Sequence, residues 1–195
     1  ILNLKMQGAK VDVWGVGTKL ITAYDQPALG AVYKLVSIAD ENGQMVDTMK
    51  ISSNAEKVST PGKKQVWRIT RKRDGKSEGD YIALWEEQPD QESELYMFHP
   101  VFTYINKTIT EFEARPILQD IIVEGKLVYE LPSLQEVKAF SEAQMSGLWD
   151  EYKRILNPED YPVDLSQKTY DHQMATIKEI KKQIKEEASL LESTK

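Results

Sequence analysis

The residues best suited to chemistry are Gly15-Val16-Gly17-Thr18-Lys19, which directly follow Val11-Asp12-Val13-Trp14. Two glycines around one residue let a backbone turn sharply and direct its N–H groups at a ligand with no Cβ in the way. Thr18 adds a hydroxyl and Lys19 a cation. A helix starting near Thr18 would add free N–H groups and a dipole that favour an anion. The chemistry on offer is phosphate binding. The pattern lacks the third glycine of a dinucleotide fingerprint and is not a P-loop. It fits a phosphate cradle, and equally a glycine-rich turn between strand and helix that holds nothing.

A second stretch, Lys50-Ile51-Ser52-Ser53-Asn54-Ala55-Glu56-Lys57-Val58-Ser59-Thr60-Pro61-Gly62-Lys63-Lys64, gathers cations, hydroxyls and a Pro-Gly turn. Lysines act on phosphates as point charges; a solvated surface loop has the same composition. Other chemistries find little footing. The two histidines, His99 and His172, stand far apart without neighbouring ligands, so no zinc motif forms. His99, before Pro100 and between aromatic residues, reads as a hydrogen-bonded loop residue, and His172 as a solvated helix residue. There is no nucleophile elbow and no Ser/His/Asp signature.

Composition narrows the class. With 195 residues, 41% apolar and 29% charged, the chain can bury a substantial core. A net charge of −6 argues against a general nucleic-acid binder. The absence of cysteine removes disulfides, thiolate metal sites and thiol nucleophiles, and suits a cytoplasmic setting. No apolar run approaches the ~20 residues of a membrane span, and the first residues carry no leader pattern.

The elements that must position these residues follow from periodicity and punctuation. Ile1, Leu2, Leu4 and Met6 ahead of Gly8 predict a helix closed by a C′ glycine. Val11–Trp14 predicts a short buried strand before the glycine turn. Strands are expected at 31–38, 48–52, 65–70 and 81–85, with an Asn42-Gly43 hairpin turn and an antiparallel meander. Ile121–Tyr129 predicts a hairpin turning at Glu124-Gly125. Ser133 and Glu136 form a capping box, and Val137, Phe140, Leu148, Trp149, Tyr152 and Ile155 share a helical face that runs to Asn157-Pro158. Ser166 is placed to cap a second helix, whose stripe runs through Tyr170, Met174, Ile177, Ile180, Ile184 and Leu191 above a charged face that includes Glu187. The two helices predict a helical hairpin packed on the rest. A partner-binding coiled coil would show the same stripe.

At this level of detail the sequence resembles the bacterial nicotinate phosphoribosyltransferase family. The resemblance is carried by 14–30, Trp-Gly-Val-Gly-Thr-Lys-Leu-Ile-Thr-Ala-Tyr-Asp-Gln-Pro-Ala-Leu-Gly, and by the following Ala31–Val36. It continues through Lys50-Ile51-Ser52 to Pro61-Gly62-Lys63-Lys64, Phe98-His99-Pro100 and Leu148–Arg154. It implies an α/β fold: the C-terminal part of an irregular α/β barrel, with a phosphate-binding glycine turn in residues 1–30. A mostly antiparallel β region (31–130) and a C-terminal helical region (131–195) would form part of a mixed α/β domain. Family members are much longer, so the catalytic histidine and most of the nicotinate pocket are expected upstream of Ile1, and no catalytic residue in this chain.

The function implied is the joining of nicotinate to phosphoribosyl pyrophosphate, driven by ATP hydrolysis and accompanied by Mg²⁺, giving nicotinate mononucleotide for NAD synthesis. A homodimer is expected to build the active site, and the piece is not expected to be active alone. By the resemblance, Gly15, Val16, Gly17 and Thr18 would hold the ribose 5-phosphate. That agrees with phosphate sites forming in the loops after the last barrel strands. Lys34 would be a phosphate-side lysine, and Lys50 and Lys57 would reach the pyrophosphate or ATP phosphates. Nicotinamide in place of nicotinate stays open, because the base pocket lies mostly outside this chain. The alternatives are a non-catalytic phosphometabolite-binding or scaffold domain, and a protein partner docked on the last two helices.

Overall fold

A computed structural model of the chain describes residues 1–28, 32–54 and 57–193, with the side chains of 187 and 190–193 excepted. The expected positions of Leu29, Gly30, Ala31, Ala55 and Glu56, and of Glu187 and Leu191 on the last helix, lie outside what is described. The chain divides into two compact units, Ile1–Tyr33 and Lys34–Lys195.

The first unit opens with helix α1 (Leu2–Met6). Its end is a Schellman closure: Gly8 N–H donates to Lys5 O at 2.9 Å and Ala9 N–H to Leu4 O at 2.9 Å, with Gly8 at φ +80. The glycine stop read from sequence is therefore present. The strand expected at Val11–Trp14 is not. Those residues pair with no strand, and Val13 is 85% exposed. A period-2 pattern only becomes a strand when a neighbour takes up its backbone groups. Among the described residues of this unit there is none. One turn of helix, α2 (Thr18–Ile21), follows Gly17.

The second unit is a mixed α/β structure. It begins with a small hairpin, β1 (Ser37–Ala39) and β2 (Met45–Asp47), around the predicted Asn42-Gly43 turn. Gly43 sits at φ +78, and the Asp40 carboxylate accepts the N–H groups of Asn42 and Gln44 at 2.9 and 2.8 Å. Both strands are shorter than expected. Residues 32–36 lie outside any strand, and the return strand uses 45–47 instead of 48–52.

The main sheet has six strands: β3 (Lys64–Arg71), β4 (Ser77–Leu84), β5 (Glu94–Phe98), β6 (Asn106–Thr110), β7 (Phe112–Pro116) and β10 (Val163–Leu165), in the order β6-β5-β10-β4-β3-β7. A separate two-stranded hairpin, β8 (Ile122–Val123) with β9 (Lys126–Leu127), turns at Glu124-Gly125 as expected. The core follows strand alternation. Trp67 and Ile69, Tyr81 and Ala83, Leu95 and Met97, Ile109 and Phe112 form one buried cluster. Register sets Trp67 opposite Tyr81, and Leu95 opposite Ile109.

The expected meander is interrupted by β10, which enters between β4 and β5 and runs parallel to β4. A glycine makes room for it. Gly79 sits at φ +135, and a Cβ there would lie 3.0 Å from both Pro162 Cβ and Pro162 O. Only a residue without a side chain lets Pro162 approach, so that Pro162 O accepts the Asp80 N–H at 3.0 Å.

Helix α3 (Leu134–Gly147) starts at the predicted Ser133/Glu136 capping box. It stops ten residues before the predicted Asn157, at Gly147. The cause is tertiary. Lys76 Nζ donates to Ser146 O and Leu148 O, occupying carbonyls that a longer helix would need. Trp149 then turns onto the sheet, where its Nε1–H donates to Ser77 O at 2.8 Å and Arg71 covers its ring. Helix α4 (Gln167–Ser193) begins at the predicted cap, with Ser166 Oγ accepting Thr169 N–H at 3.0 Å. The expected helical hairpin is instead helix, strand, helix, because β10 lies between α3 and α4. Nor are their stripes fully covered: α3 buries none of its residues, and Ile184 is 57% exposed.

Candidate phosphate-binding site

The glycine turn lies in the first unit. Gly17 is the N-terminal flank of α2, at φ −105 and ψ −152, and accepts the N–H of Leu20 at 3.0 Å. Neither Gly15 nor Gly17 has a positive φ, and a Cβ built on either meets no atom within 4 Å. Backbone conformation and internal packing thus place no demand for glycine at these positions. This contrasts with Gly79, where both do. Gly15, Val16, Gly17 and Thr18 are all exposed.

The candidate lysines Lys34, Lys50 and Lys57 lie in the second unit. All three are exposed, and no carboxylate or carbonyl among the described residues takes up their ammonium groups. Lys50 and Lys57 share one closed loop. Lys50 N–H donates to Ser59 Oγ at 2.7 Å, and Ser59 N–H returns to Lys50 O at 3.2 Å. Inside it, Lys57 N–H donates to Asn54 O at 3.0 Å. The loop is therefore tied at its base and presents two cations with no carboxylate partner among the described residues, an arrangement suited to polyanionic phosphate.

The neighbouring lysines have other work. Lys64 Nζ donates to Thr60 O at 2.7 Å, to Pro61 O at 3.0 Å and to Gly62 O, so it holds the Pro-Gly turn together. Burial holds its ammonium below the ordinary lysine range, with Asp47 opposing that shift. Lys63 stands 3.7 Å from the centre of the Trp85 ring.

The histidines divide. His99 is a hydrogen-bonded loop residue, as expected: its Nδ1 accepts the N–H groups of Val101 and Phe102 at 3.1 and 3.0 Å. His172 is not simply solvated. Its Nε2 lies 2.8 Å from Asp47 Oδ2 and ties α4 to the end of β2. Distant residues that form such pairs leave no local pattern to read.

Sequence reasoning also missed the polar network on the sheet face opposite the core. Arg68 makes a two-pronged pair with Asp80, at 2.9 and 3.1 Å. Tyr161 OH donates to Asp80 Oδ1 at 3.1 Å and lies 2.6 Å from Ser77 Oγ. Burial is the main cause that pushes the Tyr161 hydroxyl up to about 12. The bond to Asp80 raises the Arg68 guanidinium further above its usual value. This network fastens the segment before β10 to the sheet.

Comparison with known proteins supports the resemblance. The nicotinate phosphoribosyltransferase C-terminal domain matches residues 63–173. Nicotinate phosphoribosyltransferase of Bacillus subtilis is 56% identical over 187 residues, which is 96% of this chain and 38% of that protein. The human nicotinate phosphoribosyltransferase is 32% identical over 168 residues, covering 86% of this chain and 30% of the relative. A crystal structure of human nicotinic acid phosphoribosyltransferase superposes with a TM-score of 0.53 at 27% identity, over 63% of this chain and 23% of that one. The chain thus spans about a third of the length of these relatives. With the domain matched across more than half of its residues, the chain belongs to the nicotinate phosphoribosyltransferase family, in its C-terminal domain.

Proposed function

We propose that this chain is the C-terminal, phosphate-holding part of a nicotinate phosphoribosyltransferase. That enzyme would join nicotinate to phosphoribosyl pyrophosphate, with ATP hydrolysis, to give nicotinate mononucleotide for NAD synthesis. The observation that carries the reading is the 56% identity to the Bacillus subtilis enzyme across 96% of the chain. In it, the backbone N–H groups of Gly15, Val16 and Gly17 and the Thr18 hydroxyl donate to the phosphate of the ribose 5-phosphate. Residues 1–30 would form the end of an α/β barrel, and 31–130 and 131–195 the β and helical parts of the adjoining domain. Lys34, Lys50 and Lys57 draw in the pyrophosphate or ATP phosphates.

Among the described residues no three His, Asp or Glu side chains gather as a metal set. Mg²⁺ would arrive as part of the phosphate substrate, and this chain would contribute cations and N–H donors to its anionic partner. The chain's own work is binding and orientation, with the base pocket and the second copy of a homodimer completing the site. No helix of the described residues is long and apolar enough to cross a membrane, which is compatible with a cytoplasmic enzyme.

The test is product analysis. A protein carrying this chain should form nicotinate mononucleotide from nicotinate and phosphoribosyl pyrophosphate while ATP is consumed. The same assay with nicotinamide decides between the two bases. Retained phosphoribosyl pyrophosphate binding with no product from either base would return the non-catalytic, phosphometabolite-binding reading.

A further inference from the structure

Away from the glycine turn and the lysine loop, the second unit contains a cavity of about 940 Å³, within the size range of small-molecule sites. Its wall includes the β5–β6 connection and the approach to β10. Asp164, the middle residue of β10, lines it and is only 6% exposed. Among the described residues no hydrogen bond or ion pair reaches its carboxylate. Its oxygens still reach the cavity, since among the described residues Trp67 Nε1 is the buried side-chain polar atom left without a partner.

The groups facing Asp164, Lys107 and His99, offset its burial only in part. Lys107 is already committed to Glu78, through its carbonyl and, at 3.3 Å, its carboxylate. His99 spends Nδ1 on two backbone N–H groups, and among the described residues no hydrogen bond joins its Nε2 to Asp164. Asp160 adds a second carboxylate to the lining, and Glu159 is taken by Arg154 at 3.0 Å. The surplus in the cavity is negative. A metal ion is not its match, since no three ligating side chains come together there among the described residues. The other walls mix apolar side chains, Ile82, Ile105, Val163 and Leu165, with the polar Thr60, Asn106, Tyr161 and Gln173, and the Phe102 ring lies 5.1 Å from that of His99. Phe102 and Asp164 line the same cavity, and an aromatic face together with a carboxylate suits a cation.

We propose that this cavity binds an organic cation, an ammonium or guanidinium on an apolar stem, with Asp164 as its counter-ion and Phe102 beside it. The site is independent of the phosphate-binding reading and stands if that reading fails. The cation can come from two sources, a free small molecule or an arginine or lysine side chain of a polypeptide.

Titration of the full chain with butylguanidinium, followed by backbone amide shifts at His99, Phe102 and Asp164, tests the assignment. Butylurea serves as the neutral isostere. Saturable shifts with butylguanidinium are expected, at least about ten-fold weaker with butylurea and in Asp164→Asn. This is the loss of one charge-assisted hydrogen bond at 1.4 kcal/mol per decade. Phe102→Ala, at a half-exposed ring, should weaken binding severalfold without unfolding. The peptide acetyl-Gly-Arg-Gly-amide separates the sources: tighter binding than butylguanidinium assigns a polypeptide side chain, equal or weaker binding a free cation. No saturable shift, equal binding of butylurea, or indifference to both substitutions overturns the proposal.

Discussion

The same substitution should cost binding at one glycine and stability at another. At Gly17, φ −105 suits any L-residue, and a new Cβ meets nothing within 4 Å. Gly17→Val restricts the unfolded chain, which favours folding by about 0.4–1 kcal/mol where the native backbone accepts the residue. It also gives a poorer helix start, at a cost of roughly 0.5–1 kcal/mol. The two nearly cancel, so stability should stay within about 1 kcal/mol of wild type. The isopropyl group would nonetheless crowd the N–H groups that hold phosphate. Loss of one hydrogen bond to a charged group is worth about 1.5–3 kcal/mol, roughly ten- to hundred-fold in affinity. At Gly79, φ +135 and Pro162 atoms at 3.0 Å leave no room for a Cβ. Backbone strain of about 1–3 kcal/mol and overpacking of a similar size make Gly79→Val destabilising by several kcal/mol. Urea denaturation reads stability, and calorimetric titration of the folded Gly17 variant with nicotinate mononucleotide reads binding. Unchanged affinity in folded Gly17→Val refutes the cradle. Wild-type stability in Gly79→Val refutes the close approach of Pro162.

Three further outcomes are expected. Lys57→Ala should weaken phosphoribosyl pyrophosphate more than nicotinate mononucleotide, since only the first carries pyrophosphate; equal losses in paired titrations reject that role. Trp149→Phe keeps an aromatic ring under Arg71 but removes the donor to Ser77 O. It should cost about 1 kcal/mol in urea denaturation, and no loss would mean that water replaces the bond. Burial holds the Asp164 carboxyl above the usual aspartate range. Folding therefore favours its protonated form. That contribution is complete below the unfolded-state pKa and lost as pH rises through the folded one. Asp164→Asn should raise the urea midpoint at neutral pH and bring no gain in acid; a pH-independent difference would show that ionisation is not the cause.

What could be read from the sequence was mostly what short stretches decide alone. The Gly8 helix stop, the Asn42-Gly43 and Glu124-Gly125 turns and the Ser133/Glu136 box each depend on three to five neighbouring residues. The failures needed distant partners. Val11–Trp14 has strand-forming residues but no neighbouring strand. Helix α3 stops early because Lys76 and Ser77, far back in the chain, claim its last carbonyls and Trp149. Strand β10 was invisible because three residues, Val163-Asp164-Leu165, become a strand only between β4 and β5. The candidate site divides in the same way. Glycines and lysines near hydroxyls advertise phosphate chemistry in one dimension. An aspartate whose significance is its burial, or a histidine paired with Asp47, does not.

The most direct test of the phosphate-holding claim is a titration of the full chain with ribose 5-phosphate, read at the backbone amides. Saturable shifts concentrated at Gly15, Val16, Gly17 and Thr18, lost in Gly17→Val, are the predicted result. A folded chain whose glycine-turn amides do not move would contradict the account.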